Sequence, residues 1–159
     1  MNHREIKKIK TTNPLRDSII TLLWLLLIAN NSHTQEAYNS PSSIKGAQNI
    51  QAEELIRIFQ RSESLPTLID SRIPHDHAKG YIEGAINLPD EITTCKRLKE
   101  HVPTKNSQII FYCNGPKCKS SGRAIKIAVQ CGYDNLYWFR GGINEWQLKN
   151  YPLLRKRII

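Results

Sequence analysis

Gln108-Ile109-Ile110-Phe111-Tyr112-Cys113-Asn114-Gly115-Pro116-Lys117-Cys118-Lys119-Ser120-Ser121 decides how this chain folds. An apolar run ends on a cysteine. A short Gly/Pro/Lys loop follows, and a strongly apolar helical pattern runs from Ser121 to Cys131, with Gly132 as its stop. The thiol of Cys113 therefore sits at the carboxyl end of a strand and faces the amino end of a helix. Such a position lowers a cysteine pKa and favours anions.

Outward from this stretch, strands and helices alternate. Pro66 to Asp70 is a short strand whose apolar run is continuous, as in a parallel sheet covered on both faces. Ile86 to Leu88 and Leu136 to Phe139 read as further strands. Ala52 to Phe59 is a helix with Leu55, Ile58 and Phe59 on one face and acids in its first turn. His75 to Lys79, Ile92 to His101 and Ile143 to Lys149 read as helices closed by Gly80, Pro103 and Tyr151-Pro152. This order predicts an α/β fold with a mainly parallel sheet of about five strands, flanked by helices on both faces.

The chain has 159 residues, enough for one domain with an extension. Its formal charge of +9 is partly local, because Arg4, Lys7, Lys8, Lys10 and Arg16 precede the first apolar run. From Thr34 onward 18 basic residues face 12 acidic ones, with no stripe of aromatic and basic residues. Nucleic acid is therefore not an expected partner. Ile19 to Ala29 is apolar, follows the basic front and gives way to polar Asn30-Asn31-Ser32-His33. It is shorter than the roughly 20 residues of a spanning helix. The pattern predicts a signal peptide or an N-terminal membrane anchor over 1–33, with membrane contact only through that segment. A polar linker over 34–43, a folded domain over 44–154 and a basic tail over 155–159 complete the expected organisation. Either form of the leader implies an exported, periplasmic protein, with a monomer as the default.

The cysteines are Cys95, Cys113, Cys118 and Cys131. Their spacing outlines no dense disulfide framework, and a domain of this size needs none. Cys95 and Cys131 read as packing residues. Zinc wants paired ligands at close spacing, and no His flanks Cys113 and Cys118, so no metal or other cofactor is expected. His75 and His77 lie in a polar stretch and are expected to be exposed.

Three blocks resemble the rhodanese (sulfurtransferase) family. Asp70-Ser71-Arg72 with Gly80-Tyr81-Ile82-Glu83-Gly84-Ala85-Ile86-Asn87-Leu88-Pro89 is similar to its D-x-R and G-H-I-P-G-A-x-N-x-P pattern, with Tyr81 and Glu83 in place of the usual His and Pro. The strand–cysteine–loop is the second block. Arg140-Gly141-Gly142-Ile143-Asn144-Glu145-Trp146 resembles the closing G-G-x-x-x-W. The physical reading of Asp70 and Arg72 is a pair that fixes the chain leaving a strand. Gly84, Gly141 and Gly142 suit tight turns, and Trp138 and Trp146 suit the core or its rim.

The resemblance implies that Cys113 is the nucleophile. Its thiolate would take the outer sulfur of a small anionic donor such as thiosulfate, hold it as a persulfide, and pass it to a thiol or protein acceptor. Backbone N–H groups over Asn114, Gly115, Pro116 (which has none), Lys117, Cys118, Lys119 and Ser120 would cradle the charge. Lys117 and Lys119 would attract the anion, and Ser120 and Ser121 suit a helix cap. Two departures modify this expectation. Cys118 stands five residues after Cys113, where the common loop has Arg, and Lys119 follows. The loop is one residue longer, as in the rhodanese-like phosphatases and arsenate reductases, whose Cys-x5-Arg clamps an oxyanion bidentately. Lys119 cannot provide that fork. Cys118 could serve as a resolving thiol. The alternatives are a non-catalytic or redox-active module using Cys113 and Cys118 and, further off, a phosphatase or arsenate reductase.

Overall fold

The computed structural model describes residues 40–62 and 64–155. The expected signal or anchor segment lies outside them, as do residues 34–39 of the expected linker and 156–159 of the tail. Among the described residues no helix is long and apolar enough to cross a membrane.

Strands β1 (Ala47–Ile50), β2 (Thr67–Asp70), β3 (Ile86–Asn87), β4 (Ile109–Tyr112) and β5 (Leu136–Phe139) form one parallel sheet in the order β1-β5-β4-β2-β3. Helices α1 (Ala52–Arg61), α2 (Pro74–Lys79), α3 (Cys95–His101), α4 (Ser120–Gln130) and α5 (Gly142–Leu148) connect or follow them. The strand that carries the cysteine at its end is central. Phe111 of β4 lies between Ile69 of β2 and Trp138 of β5 in register.

Side chains alternate between the faces, and both faces are covered. Ile109, Phe111, Leu136 and Trp138 pack with Leu98 of α3 and Ala124, Ile125 and Ala128 of α4. Ile110, Tyr112 and Phe139 pack with Ala52 and Leu55 of α1 and with Ile143 and Trp146 of α5. Burying each large apolar side chain stabilises the fold by about 1.5–3 kcal/mol. The continuous apolar runs of β2 and β4 follow from this double covering.

Three details differ from the sequence reading. Strand β1 carries no apolar signature, because it is an edge strand whose Gln48 and Asn49 are exposed. The helix expected from Ile92 begins at Cys95 instead. Thr93 turns inward and donates to Pro89 O at 2.9 Å, and Thr94 Oγ accepts the Arg97 N–H at 3.2 Å as a cap. Cys95 and Cys131 are not mere packing residues. They form a disulfide that ties the start of α3 to the end of α4, with a Cα–Cα distance of 5.4 Å. Cys131 also packs against the core.

Candidate functional site

The parallel arrangement brings the carboxyl ends of β2, β4 and β5 to one edge of the sheet. The chemistry-bearing residues collect there, as is general for open α/β sheets. Cys113 leaves β4 at this edge and is 1% exposed. Its loop returns into the amino end of α4, so the sulfur lies where unpaired helical N–H groups favour negative charge.

Cys113 Sγ has two polar neighbours, the Cys118 carbonyl oxygen at 3.5 Å and the Ser121 hydroxyl. Cys113 Sγ lies 3.1 Å from Ser121 Oγ, and Ser121 Oγ is 2.9 Å from Trp138 Nε1. An indole nitrogen can only donate. Ser121 therefore accepts from Trp138, which leaves its own proton free to point at Cys113. The chain Trp138 → Ser121 → Cys113 is a directed hydrogen-bond relay buried inside the protein. A thiolate at Cys113 gains a charge-assisted hydrogen bond from it. Ser121 does not cap α4 as expected. The helix cap position is Lys119, with no side-chain cap, and Ser120 Oγ takes a 3.4 Å contact from Arg123.

Cys118 is half-buried and bonded to Cys113 in a disulfide, with Cα atoms 6.3 Å apart. The Cys118 N–H is donated to Gly115 O at 2.8 Å, so that amide is not part of an anion cradle around the sulfur. Lys117 and Lys119 are both exposed on the loop. Among the described residues no group of three or more His, Cys, Asp or Glu could hold a metal ion.

The third sequence block holds the loop from below. Ile143 N–H donates to Cys113 O at 3.0 Å and Asn144 N–H to Asn114 O at 2.9 Å. The amino end of α5 thus satisfies its orphan donors with the carbonyls of the loop. This close approach explains the glycines. A Cβ on Gly142, whose φ is 55°, would collide with the Cys113 carbonyl. A Cβ on Gly115 would come within 2.8 Å of Asn144 Nδ2.

Arg140, just after β5, fixes the outer side. It donates to Ser40 O at 3.0 Å and Pro41 O at 2.8 Å. Ser40 in turn donates to Pro116 O from both its backbone N–H and its hydroxyl, each at 2.8 Å. Ser40 falls within the expected linker, yet it is 3% exposed and braces the loop.

Asp70 and Arg72 sit on the other side of Cys113 at the end of β2. Asp70 is fully buried and accepts from Arg72 Nε at 2.9 Å and Nη2 at 2.5 Å, and from Tyr112 OH at 3.1 Å. Arg72 Nη2 also reaches Gly80 O at 2.7 Å, and Nη1 lies 3.4 Å from Asn114 Oδ1. Burial opposes the guanidinium charge, but the Asp70 hydrogen bonds and charge outweigh it and hold the Arg72 pKa above its ordinary value. Burial, then the Asp70 charge, pushes the Tyr112 phenol well up, so it stays protonated and donates. His77 departs from the expectation of exposure. Its side chain is 12% exposed, its Nδ1 lies 2.9 Å from Asp70 Oδ2, and its ring stacks on Tyr81 at 4.2 Å. His75 is 73% exposed. Tyr81, which stands where the family pattern has His, is thus the stacking partner of a buried network.

A cleft of about 240 Å³ opens beside the loop, lined by Arg72, Lys79, Asn114, Asn144 and Gln147 among others. Neither loop cysteine lines it in this disulfide-bonded state.

A five-stranded parallel sheet with a cysteine loop between β4 and α4 is what the sequence blocks led one to expect, and residues 51–149 match the family model for a rhodanese-like domain. The chain belongs to the rhodanese-like domain family. Over 68 residues it is 34% identical to the thiosulfate sulfurtransferase PspE of Escherichia coli (strain K12), covering 43% of this chain and 62% of that protein. It is 27% identical to the HTH-type transcriptional regulator Rv0324 of Mycobacterium tuberculosis, over 86% of this chain and 59% of that one. The match thus spans less than two thirds of either curated relative. A solved Bacillus halodurans protein superimposes with a TM-score of 0.60 at 19% identity, covering 90% of this chain and 87% of that one, which is a likeness of fold.

Sequence reasoning named Cys113, its loop, Asp70 and Arg72, and the structure brings them to one edge of the sheet. Sequence reasoning missed Ser121 as a partner of the sulfur, Trp138 as the donor behind it, and the Arg140–Ser40 brace. Only the appearance of Ser121, Trp138 and Arg140 inside or beside the three blocks hinted at them.

Proposed function

We propose that this rhodanese-like domain is a sulfurtransferase with Cys113 as its nucleophile. One observation carries the reading: the Cys113 sulfur is buried at the amino end of α4 and faces the donor proton of Ser121. The active form is the reduced one. Its Cys113 thiolate attacks the outer sulfur of thiosulfate, the S–S bond of the donor breaks, and sulfite leaves with the electron pair. The enzyme keeps a Cys113 persulfide. A thiophilic acceptor then takes the outer sulfur and restores the thiolate. Attack by a thiolate needs no proton transfer in the first step.

Lys117 and Lys119 support an anionic donor through their charge at the loop surface. Each is a point charge, which disfavours the oxyanion clamp of a phosphatase or arsenate reductase. The Cys113–Cys118 disulfide favours a second reading, a thiol-redox module. Export remains part of the proposal. The two disulfides among the described residues support it, because such bonds persist in oxidising compartments.

Intact-mass measurement tests the sulfurtransferase reading. The reduced protein is mixed with thiosulfate under argon. A gain of one sulfur atom with release of sulfite is expected, and neither occurs in Cys113→Ser. A sulfur adduct that survives in Cys113→Ser overturns the assignment of the nucleophile.

A further inference from the structure

A sulfurtransferase that depends on an external acceptor has no use for a second thiol within bonding reach of its nucleophile. Cys118 is such a thiol, held in the same loop and paired with Cys113. The two sulfurs also differ in surroundings. Cys113 is 1% exposed and faces the Ser121 hydroxyl, whereas Cys118 is half-buried at the surface of a loop that carries exposed Lys117 and Lys119.

Building on the persulfide reading above, we propose that Cys118 discharges the Cys113 persulfide as hydrosulfide, and that an external dithiol then reopens the disulfide by attacking Cys118. In the first step the Cys118 thiolate attacks Cys113 Sγ, the inner sulfur. The Cys113–Cys118 bond forms, the persulfide S–S bond breaks, and the outer sulfur leaves with the electron pair and takes a proton as HS⁻. The two cysteines are oxidised by two electrons, and the sulfane sulfur is reduced by two. In the second step a dithiol thiolate attacks Cys118 Sγ and Cys113 leaves as thiolate. The second thiol of the reductant closes onto the mixed disulfide and frees Cys118. The net reaction converts thiosulfate and a dithiol into sulfite, hydrosulfide and a cyclic disulfide.

The direction of the second step follows from the asymmetry of the pair. In the disulfide-bonded loop the buried Cys113 sulfur is closed to an incoming thiolate, whereas the half-buried Cys118 is open to one. Exchange is also faster when the departing thiolate is the stabilised one. Both conditions select Cys118 for attack and Cys113 as the leaving group, because the Trp138–Ser121 relay and the α4 amino end stabilise Cys113. The domain thereby joins two classes of reaction. One supplies a sulfane sulfur on an anion, and the other supplies reducing equivalents as a dithiol.

A single-turnover experiment on the full chain decides the matter. The protein is reduced with dithiothreitol, desalted under argon and mixed with thiosulfate, and sulfite, hydrosulfide and intact mass are followed together. For the unsubstituted protein the expected products are one equivalent of sulfite, one of hydrosulfide, and a protein two hydrogen atoms lighter. Cys118→Ser and Cys118→Ala should each release sulfite, release no hydrosulfide and stay one sulfur atom heavier. With dithiothreitol present, their hydrosulfide production should fall at least about tenfold, since a free thiol must find by collision what Cys118 reaches by position. Sulfite release with a lasting sulfur adduct on the unsubstituted protein overturns the discharge and leaves the sulfurtransferase reading standing. So does a sulfur atom recovered on Cys118. Absence of sulfite from every form overturns the sulfurtransferase reading, and this inference with it. For the second step, the oxidised protein is quenched during brief exposure to glutathione. The loop adduct is expected on the Cys118 peptide, and its recovery on Cys113 refutes the assigned direction.

Discussion

The two cysteine pairs of this domain are chemically the same bond in different settings. Cys95 and Cys131 are 36 residues apart in sequence and join two helix ends on one side of the sheet. Cys113 and Cys118 are 5 residues apart and close a single loop at the sheet edge. Among the described residues no hydroxyl is hydrogen-bonded to either sulfur of the first pair. The second has one sulfur buried against Ser121, at the amino end of α4. The difference teaches that reactivity here comes from what the fold places around a sulfur. A bond that closes 36 residues restricts the unfolded chain far more than one that closes 5, so the first pair is the staple and the second the working pair.

The largest effect that would break this comparison concerns the nucleophile. Cys113→Ser should reduce sulfite release from thiosulfate to the uncatalysed background, whereas Cys95→Ser should retain the rate of the unsubstituted protein under identical reducing conditions. A comparable loss in both variants would erase the distinction between the pairs. The staple shows itself in stability instead. Cys131→Ser should lower the unfolding free energy in urea, measured without reductant, by about 2–4 kcal/mol. No change in the denaturation midpoint would mean that the bond constrains nothing.

Removal of the relay gives a smaller effect. In reduced Ser121→Ala the thiolate loses a donor, so the midpoint of Cys113 alkylation against pH should rise by about 1 to 2 pH units, read on the Cys113 peptide with iodoacetamide. Trp138→Phe should move it in the same direction by less, since Ser121 keeps its own proton. An unchanged midpoint in Ser121→Ala would show that the hydroxyl only fills space. The smallest effect belongs to Ser71, which follows the β2 residue paired with Tyr112 and is therefore level with Cys113 on the neighbouring strand. Its hydroxyl is buried without a hydrogen-bond partner among the described residues. Ser71→Ala should leave the Cys113 midpoint in place and raise stability by about 1 kcal/mol, measured by thermal or urea unfolding. A shift of the midpoint would make Ser71 a second donor to the sulfur.

Parts of this molecule were legible because their cause is local. Continuous apolar runs mark β2 and β4, since a strand covered on both faces has no polar side to show. The cysteine at the end of β4 is visible because strand, loop and helix are contiguous there. β1 escaped notice, because an edge strand with exposed Gln48 and Asn49 resembles any polar connector. His77 looked like a surface residue, since its neighbours His75 and Asp76 are polar. Its burial comes from Asp70 and Tyr81, which other segments supply.

The chain by itself determined the alternation of strands and helices, the parallel sheet that alternation requires, and the placement of a thiol where a strand hands over to a helix. These follow from short-range periodicity and turn residues. Tertiary structure alone decided that Cys95 meets Cys131, that Ser121 turns its hydroxyl to Cys113 rather than to its own helix, and that Trp138 stands behind it from 17 residues away. Such contacts depend on the order β1-β5-β4-β2-β3, which brings β5 beside β4 and sets α4 across both. Partners that meet only through that arrangement leave no periodic trace along the chain.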